Sequence, residues 1–434
     1  LSLVMPPISQ AIANDAQTVS TEETVMGGGS SSESTDVGNT NNGDTENQNS
    51  DDAAGDDEIQ QEEQPKDESQ AEENEAIDDG AGSSAEEAVA SEETATDIKN
   101  AGDLQGKLLG VEENQTASFT LAADIDFPGE ITLNKGGSNI TLDLSGHKIK
   151  HSSADKPLFN VAGGASLTIR DSAQVGETVS EGQQLADQGQ SLNADNYDKN
   201  AANYGKNAEL TYDNDNIPSN LTYYVTESSP SGTGTTETLV KHDVEIKGAI
   251  VACGGNANLK LINLYNNNGK GGTFNLVSGV ITQKQGGSVS SLVYAENGST
   301  VNMRGGYVCG ASGSGAGGGI EIHGNSTLEV SGGVIAGNSA PSGGGVYAKD
   351  STVNITNGVI SGNSTLATGV GFGGGIMAEG GSVTVSGGYI TNNKYANYCG
   401  NDGNGDHGGA GLAAKNGTHV TISGGQITGN YSEE

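Results

Sequence analysis

Six glycines in the C-terminal part of the chain set the register of an internal repeat, and this repeat constrains the fold more than any other feature. The markers are Gly279, Gly306, Gly333, Gly358, Gly388 and Gly425, separated by 27, 27, 25, 30 and 37 residues. Apolar residues recur five and three positions before each marker and two positions after it, as Val353, Ile355 and Ile360 do around Gly358. Each repeat therefore holds about three short alternating strands, which bury their apolar side only by stacking on the next repeat.

This pattern favours an all-β solenoid, the parallel β-helix, over other repeat folds. Stacked repeats would pair their backbones in parallel about 4.8 Å apart and enclose a narrow apolar core. A β-propeller would need longer strands and about 40 or more residues in each blade, and leucine-rich repeats would need their Leu and Asn signature. The 69 glycines follow no strict Gly-X-Y period, so a collagen fold is excluded.

Asparagines recur five residues after each of the last four markers. They are Asn338, Asn363, Asn393 and Asn430. Asn tolerates the left-handed backbone conformation of a turn, and stacked amides can hydrogen-bond along the axis of a repeat fold. We therefore predict a structural asparagine ladder at these four positions, not a ligand site.

The N-terminal part of the chain has the composition of a leader followed by a spacer. Residues 1–13, which end in Ala11-Ile12-Ala13, are typical of a signal-peptide remnant. Residues 14–96 contain many Asp and Glu, one Lys and no Phe, Tyr or Trp. Such a segment cannot bury enough apolar surface to offset its chain entropy, so we predict a disordered acidic linker there.

A short helix and an interrupted ladder of strands follow this linker. In residues 97–118, Leu104 and Leu108 continue a helical spacing that starts at Ile98, which predicts a cap helix at the open end of the solenoid. Residues 119–434 are predicted to form the β-helix itself. Residues 171–247 break the repeat with polar sequence, and we interpret them as an insertion that projects from the ladder and packs on its side.

Charge and cysteine content limit the partners and the compartment. The net charge of −37 excludes nucleic acid, because binding phosphates requires clustered Lys and Arg. No stretch is long and apolar enough for membrane insertion. Three cysteines form no disulfide framework, which is typical of a secreted protein that does not depend on disulfides.

The repeats resemble those of known bacterial surface proteins. The sequences GGGI, STLEVSGGVIAGN and ITLDLSGHKI are similar to the right-handed parallel β-helix repeats of adhesin-like surface proteins from Gram-positive gut bacteria, within the pectate-lyase-like superfold. The resemblance covers residues 119–170 and 251–434. It implies a right-handed β-helix on the cell wall or cell surface, and it leads us to expect a chain truncated at its C-terminus.

One segment has a spacing of oxygen ligands suited to a metal ion. Asp402, Asn404 and Asp406 alternate as ligands do in a calcium loop, which makes calcium a possible cofactor. His407 stands where such loops prefer Gly, and no Glu occupies the twelfth position. A Gly/Asn-rich turn is the competing interpretation.

The outward positions of the repeats provide no catalytic set. A lyase would need carboxylates and a basic residue on one face, yet Arg304 is the only Arg in the resumed repeats. An ice-binding face would need a regular Thr array, and the outward residues four before the markers are mixed. These residues are Asn302, Glu329, Asn354, Thr384 and Thr421.

The sequence therefore predicts a secreted, extracellular, non-enzymatic β-helix stalk or adhesin-like protein. We expect a monomer that binds host or matrix glycans or proteins through its lateral faces and loops. The alternative is a polysaccharide lyase or glycoside hydrolase that acts on acidic polysaccharide with residues of the 171–247 insertion.

Overall fold

A computed structural model describes residues 96–185, 204–231, 234–366, 371–395 and 408–432, all of which lie in one compact unit, Ser91–Glu434. Within these residues the fold is all-β apart from a single helix, α1, Ala101–Leu109. No described helix has the length and apolar character needed to cross a bilayer.

The strands are short before the insertion and become longer after it. The first ten are β1 Thr96–Ile98, β2 Thr116–Leu121, β3 Ile125–Phe127, β4 Ile131–Leu133, β5 Asn139–Asp143, β6 Lys148–His151, β7 Phe159–Ala162, β8 Ser166–Arg170, β9 Thr178–Val179 and β10 Gln183–Gln184. The next ten are β11 Glu209–Tyr212, β12 Pro218–Ser231, β13 Gly234–Glu245, β14 Ala249–Ala252, β15 Lys260–Tyr265, β16 Thr273–Leu276, β17 Val280–Gln283, β18 Ser291–Glu296, β19 Thr300–Cys309 and β20 Ile320–His323. The last nine are β21 Thr327–Ala336, β22 Ser339–Ala340, β23 Val346–Ser361, β24 Ser364–Thr365, β25 Ile376–Thr391, β26 Lys394–Tyr395, β27 Leu412–Lys415, β28 His419–Thr428 and β29 Tyr431–Ser432.

Twenty of these strands form one sheet in which each strand pairs in parallel with the strand one repeat later. Three stacks of strands result, and each repeat contributes to all of them. The first stack is β1, β2, β5, β8, β16 and the N-terminal parts of β19, β21 and β28, with the central parts of β23 and β25. The second stack is β3, β6, β14, β17 and the C-terminal parts of β19, β21, β23, β25 and β28. The third stack is β4, β7, β15, β18, β20, the N-terminal parts of β23 and β25, and β27.

The main core lies between the three stacks and contains the apolar columns of the repeat. In the repeat around Gly358, the residues Val353, Ile355 and Ile360 are each at most 1% exposed. Like residues lie above like, since Val353 pairs with Leu328 on one side and Val383 on the other. This stacking explains why the columns tolerate only Ile, Leu, Val, Met and Phe: each side chain fills the space left by its neighbours in adjacent repeats.

Helix α1 lies at the N-terminal end of this core. Leu104 and Leu108 are buried in it, and the Asn100 side chain caps the helix by accepting a hydrogen bond from the Asp103 amide at 2.9 Å. Ile98, which the sequence analysis placed in the helical periodicity, belongs to β1 and pairs opposite Leu121. The helix is therefore shorter than the spacing of apolar residues predicts, because the first of them joins the sheet.

The interruption of the repeat forms a second, antiparallel sheet of five strands, β9 to β13. Its apolar side packs on the outward residues of the second stack, where Tyr223 and Val225 meet Val251, Val280 and other buried side chains in a separate core. Several hydrogen bonds also fix its far end to the main sheet. Some of them join Thr226 to Thr391 and Asn392, and Ser228 to Gln426.

Asp171 closes the base of this inserted sheet. Its carboxylate accepts hydrogen bonds from the amides of Gly146 and Gly248, each at 2.7 Å, and the residue is 3% exposed. The chain thus leaves the main sheet after β8 and returns at β14 beside the point of departure. Strand β14 then pairs in parallel with β6, as though no residues had been inserted between them.

Candidate functional site

The outward side of the first stack is a continuous polar face. Nine strands lie in register across it, and each contributes one side chain to each of two columns. The first column is Thr116, Asn139, Ser166, Thr273, Thr300, Thr327, Thr352, Ser382 and His419. The second column is Ser118, Thr141, Thr168, Asn275, Asn302, Glu329, Asn354, Thr384 and Thr421. At the usual strand separation the face is about 38 Å long, with its two columns about 7 Å apart.

Hydrogen bonds between neighbouring strands hold the second column in place. The Asn275 amide donates to the Thr168 hydroxyl at 3.2 Å, and the Asn302 amide donates to Asn275 Oδ1 at 2.9 Å. Asn354 donates in the same way to Glu329 Oε1 at 2.7 Å. Since these side chains bond to one another, they have lost rotamer freedom before any partner arrives.

Two charged residues lie near the middle of the face, one within the second column and one beside it. Glu329 lies in the second column, and Arg304 follows Asn302 on the adjacent strand as an exposed side chain next to buried Met303. Arg304 makes no ion pair with any residue that the structure describes. It is therefore free to donate to a partner, while Glu329 has acceptor capacity beyond its bond to Asn354.

The regularity of this face was missed in the sequence because only one of its columns was considered. The positions four before the markers are mixed, as stated above, yet the positions six before them are Thr in four consecutive repeats. Period-2 alternation puts both sets on the same side of a strand. Counting both columns would have found the face from the sequence.

The outward side of the third stack holds a half-buried polar cluster. His323 Nε2 donates to Glu321 Oε1 at 2.8 Å, and the imidazole lies between the rings of Tyr294 and Tyr347, with centroids 5.4 and 5.6 Å away. His323 ends β20, and its side chain is 27% exposed.

Burial perturbs the other titratable groups of this cluster. Lys260 Nζ lies 3.1 Å from the centroid of the Tyr294 ring, and burial lowers the pKa of Lys260 despite the nearby carboxylates of Glu296 and Glu321. Burial and a hydrogen bond to Glu296 at 3.0 Å raise the pKa of Tyr294 well above its ordinary value. Both groups are thus favoured in their neutral forms relative to free side chains.

Glu321 is the most constrained residue of this cluster. Its side chain is 9% exposed, and its Oε2 atom has no hydrogen-bond partner among the described residues. The glycine-rich segment before β20 lies against it, since a Cβ on Gly315 would come within 2.9 Å of Oε2. A carboxylate buried with one oxygen unpaired is costly, so it marks a position where water or a ligand group could bind.

The four predicted ladder asparagines form a connected series of side-chain hydrogen bonds. Asn338 Nδ2 donates to Asn363 Oδ1 at 3.0 Å, Asn363 donates to Asn393 at 2.9 Å, and Asn393 donates to Asn430 at 3.0 Å. Each oxygen also accepts from the backbone amide of the preceding asparagine in the series. With every amide occupied by its neighbours, these residues hold the turns together and offer little to a ligand.

The left-handed conformation falls one residue earlier than the sequence analysis expected. Gly337, Gly362, Asn392 and Gly429 have φ between 53° and 64°, and each directly precedes a ladder asparagine. The third glycine of each Gly-Gly-Gly turn packs on the ladder as well, since a Cβ on Gly345 would come within 3.0 Å of Asn363 Nδ2. The glycine triplets and the asparagines are therefore parts of one turn.

The predicted calcium loop, Asp402, Asn404 and Asp406, lies outside the described residues. Within the described ranges, no group of three or more His, Cys, Asp or Glu is arranged to hold a metal ion. The calcium site consequently stays a prediction from the sequence.

The inserted sheet contains a partly exposed polar cluster of three side chains. Tyr223 donates to Glu177 Oε2 at 2.6 Å, and His242 Nδ1 lies 3.3 Å from Glu177 Oε1 while its ring stacks on Tyr223. Burial by itself would raise the pKa of Glu177, but the nearby His242 ring and the hydrogen bond from Tyr223 outweigh it and lower the pKa. The group joins β12, β13 and the segment before β9.

Comparison with known proteins supplies no relative from which a role could be transferred. No family model matches the chain, no curated protein is similar to it in sequence, and no solved structure matches its fold. The function is accordingly argued from the geometry of the two outward faces.

Proposed function

We propose that the chain is a right-handed parallel β-helix of a secreted, cell-surface adhesin-like protein, which binds glycans through the polar face of its first stack. The observation that carries this proposal is the in-register double column of Thr, Ser and Asn across nine strands. Hydroxyl and amide groups are suitable partners for sugar hydroxyls, because both can donate and accept hydrogen bonds.

The charges on the face support a glycan over other partners. The protein carries a net charge of −37, yet in each column eight of the nine side chains are neutral, if His419 is counted as the exception in the first. A neutral polar surface neither attracts a polyanion nor offers the apolar centre that protein interfaces use. Arg304 and Glu329 add one charged donor and one charged acceptor, which form stronger hydrogen bonds to sugar hydroxyls than neutral groups do.

The test is binding of the purified protein to a panel of soluble and insoluble polysaccharides, followed by substitution of the charged pair. We expect Arg304→Ala and Glu329→Gln each to weaken binding by about tenfold, since each removes a hydrogen bond to a charged group. Lys349→Ala, an exposed position on the third stack, serves as the matched control and should bind as the unaltered chain does. Absence of binding to every polysaccharide, or equal binding by all variants, would overturn the proposal.

A polysaccharide lyase or hydrolase is the second candidate, and the Glu321–His323 pair favours it. A histidine fixed through one nitrogen by a buried carboxylate can use its other nitrogen as a base. Three carboxylates, Glu296, Glu321 and Glu379, lie on this side of the sheet along with Lys260. Incubation with uronate polysaccharides, with detection of new reducing ends and of unsaturated sugar absorbance, tests it. Product formed by the unaltered chain but not by His323→Ala would establish that the protein is an enzyme. If the unaltered chain forms no product, the enzyme candidate is overturned and the glycan-binding function stands.

A further inference from the structure

We infer that the polar face of the first stack engages an insoluble, ordered neutral polysaccharide, of the β-1,4-linked cellulose or chitin class, and not a single soluble chain. The inference rests on the proposed glycan-binding function and names the physical state and class of the ligand. It follows from three properties of the face: its repetition, the weakness of each of its groups, and its rigidity.

Repetition is the first property. Hydroxyl or amide groups recur at strand spacing at eight of the nine positions of each column, and four successive residues of the first column are Thr273, Thr300, Thr327 and Thr352. A ligand that uses all of them must present matching groups at regular intervals over about 38 Å. An extended polymer of one repeating sugar does so.

Weakness of the individual contacts is the second property. Neither column contains Phe, Tyr or Trp, so the face lacks the rings that supply most of the affinity for a single sugar. A neutral hydrogen bond exchanged with water contributes little on its own. Appreciable affinity therefore requires many contacts made together, which is the condition for multivalent binding.

Rigidity decides between a solid surface and a free chain. The side chains of Asn275, Asn302 and Asn354 are already hydrogen-bonded within the face, so they lose little entropy when a partner binds. A soluble chain would still have to be ordered, and an open sheet face would cover only one of its sides. A chain within a solid is ordered beforehand, so the weak contacts suffice.

Ice is the competing ordered surface, and the charges argue against it. Glu329 lies in the second column and exposed Arg304 lies beside it, near the centre of the face. Charged groups bind water strongly and orient it in their own pattern, which disturbs a regular hydration layer. Both groups serve as partners for sugar hydroxyls, so their position fits a polysaccharide.

The experiment is co-sedimentation of the full chain with microcrystalline cellulose and with β-chitin, compared with binding to soluble cello- and chito-oligosaccharides of six sugars. The variant combines Thr300→Val, Thr327→Val and Thr352→Val, which keeps side-chain shape and strand propensity while removing three hydroxyls. The control combines Thr235→Val and Thr236→Val in β13 of the inserted sheet.

We expect the unaltered chain to sediment with at least one solid, the triple variant to lose at least about tenfold in affinity, and the control to retain it. Far-ultraviolet circular dichroism of each variant verifies folding, and a misfolded triple variant is replaced by Thr327→Arg, which blocks the face sterically. Equal affinity for the soluble oligosaccharides would overturn this inference and leave the proposed function standing. Failure to sediment with either solid would also overturn this inference, and binding to no polysaccharide of the wider panel would overturn the proposed function itself.

Discussion

Single polar residues fix the turns of this protein as firmly as the apolar columns fix its strands. Asn363 is fully buried, and its amide makes four hydrogen bonds, two accepted from Asn338 and two donated to Ile335 and Asn393. Neighbouring repeats are thus joined by side chains at a corner where the strands end. A corner held in this way determines the register of the strands on either side of it.

Removal of one amide from the ladder should destabilise the protein strongly. We expect Asn363→Ala to lower the free energy of unfolding by about 2–5 kcal/mol, because the buried donors of Asn338 and the carbonyl of Ile335 lose their partner. Urea denaturation followed by circular dichroism measures it. Asn302→Ala, an amide on the accessible polar face, is the control and should cost less than about 1 kcal/mol; an equal loss would contradict the assignment.

The lowered pKa of Glu177 predicts a specific pH dependence. A carboxylate whose pKa is lower in the folded chain than its ordinary value of 4.5 stabilises the fold above that value and loses this contribution as pH falls. We therefore expect Glu177→Gln to be less stable than the unaltered chain at about pH 7, and this difference to shrink as the pH falls below 4.5 through the lowered pKa of Glu177. Thermal unfolding of both proteins across this range measures the difference. A difference independent of pH would show that the charge of Glu177 contributes nothing.

The three stacks of strands have different outward surfaces, although they share one core. The first is polar and accessible, the second is apolar and covered by the inserted sheet, and the third carries the Glu321–His323 cluster beneath a glycine-rich segment. An element's outward residues therefore determine what lies on it. The inserted sheet packs on the second stack because the outward residues of that stack, such as Val251 and Val280, match its own apolar side.

The reactivity of Cys309 tests whether the inserted sheet covers the second stack. Cys309 is fully buried in the core between the inserted sheet and this stack, where burial raises the pKa of its thiol to about 12. In a chain carrying Cys253→Ser and Cys399→Ser, we expect alkylation of Cys309 by iodoacetamide to be slower than that of the urea-unfolded chain by at least about a hundredfold, since the thiolate is scarce and inaccessible. Labelling detected by mass spectrometry at a rate near that of the unfolded chain would contradict packing of β12 on the second stack.

The strands and their inward residues were predictable because alternation and the marker glycines are local signals. The columns through Val353, Ile355 and Ile360 needed only a repeat alignment. The repeat alignment places Ile281 inward and its neighbour Val280 outward, but which residues of the insertion cover this outer surface was not predictable, because they are distant in sequence. Likewise, the contact of His323 with Glu321 depends on strand direction and on rings from two other repeats.

At the scale of the whole molecule, stability accumulates by stacking, so the same side chain matters differently along the axis. Ile355 and Ile422 occupy the same column of the repeat, but Ile355 is 1% exposed and Ile422 is 55% exposed. The final described repeat has a neighbour on one side only among the described residues. The Ile422 side chain, although it belongs to a core column, is therefore expected to contribute as little to the free energy of unfolding as an exposed side chain does.

A matched pair of truncations tests this gradient. Ile355→Ala should lower the free energy of unfolding by about 2–5 kcal/mol, the usual loss for a large buried aliphatic side chain, whereas Ile422→Ala should cost well below 1 kcal/mol. Chemical denaturation of both variants measures the two losses. Similar values for the two positions would refute the stacking account of the core.

The bridge made by Asp171 has an evolutionary consequence. Because one carboxylate ties the departure of the inserted sheet to its return, and the β6–β14 pairing continues across it, the scaffold does not depend on the inserted sequence for its register. New genetic material could enter, diverge or be exchanged between β8 and β14 while the rest of the coding sequence stayed under separate selection. The inserted sheet can therefore change in sequence without shifting the register of the main sheet, as long as its apolar side still covers Val251 and Val280.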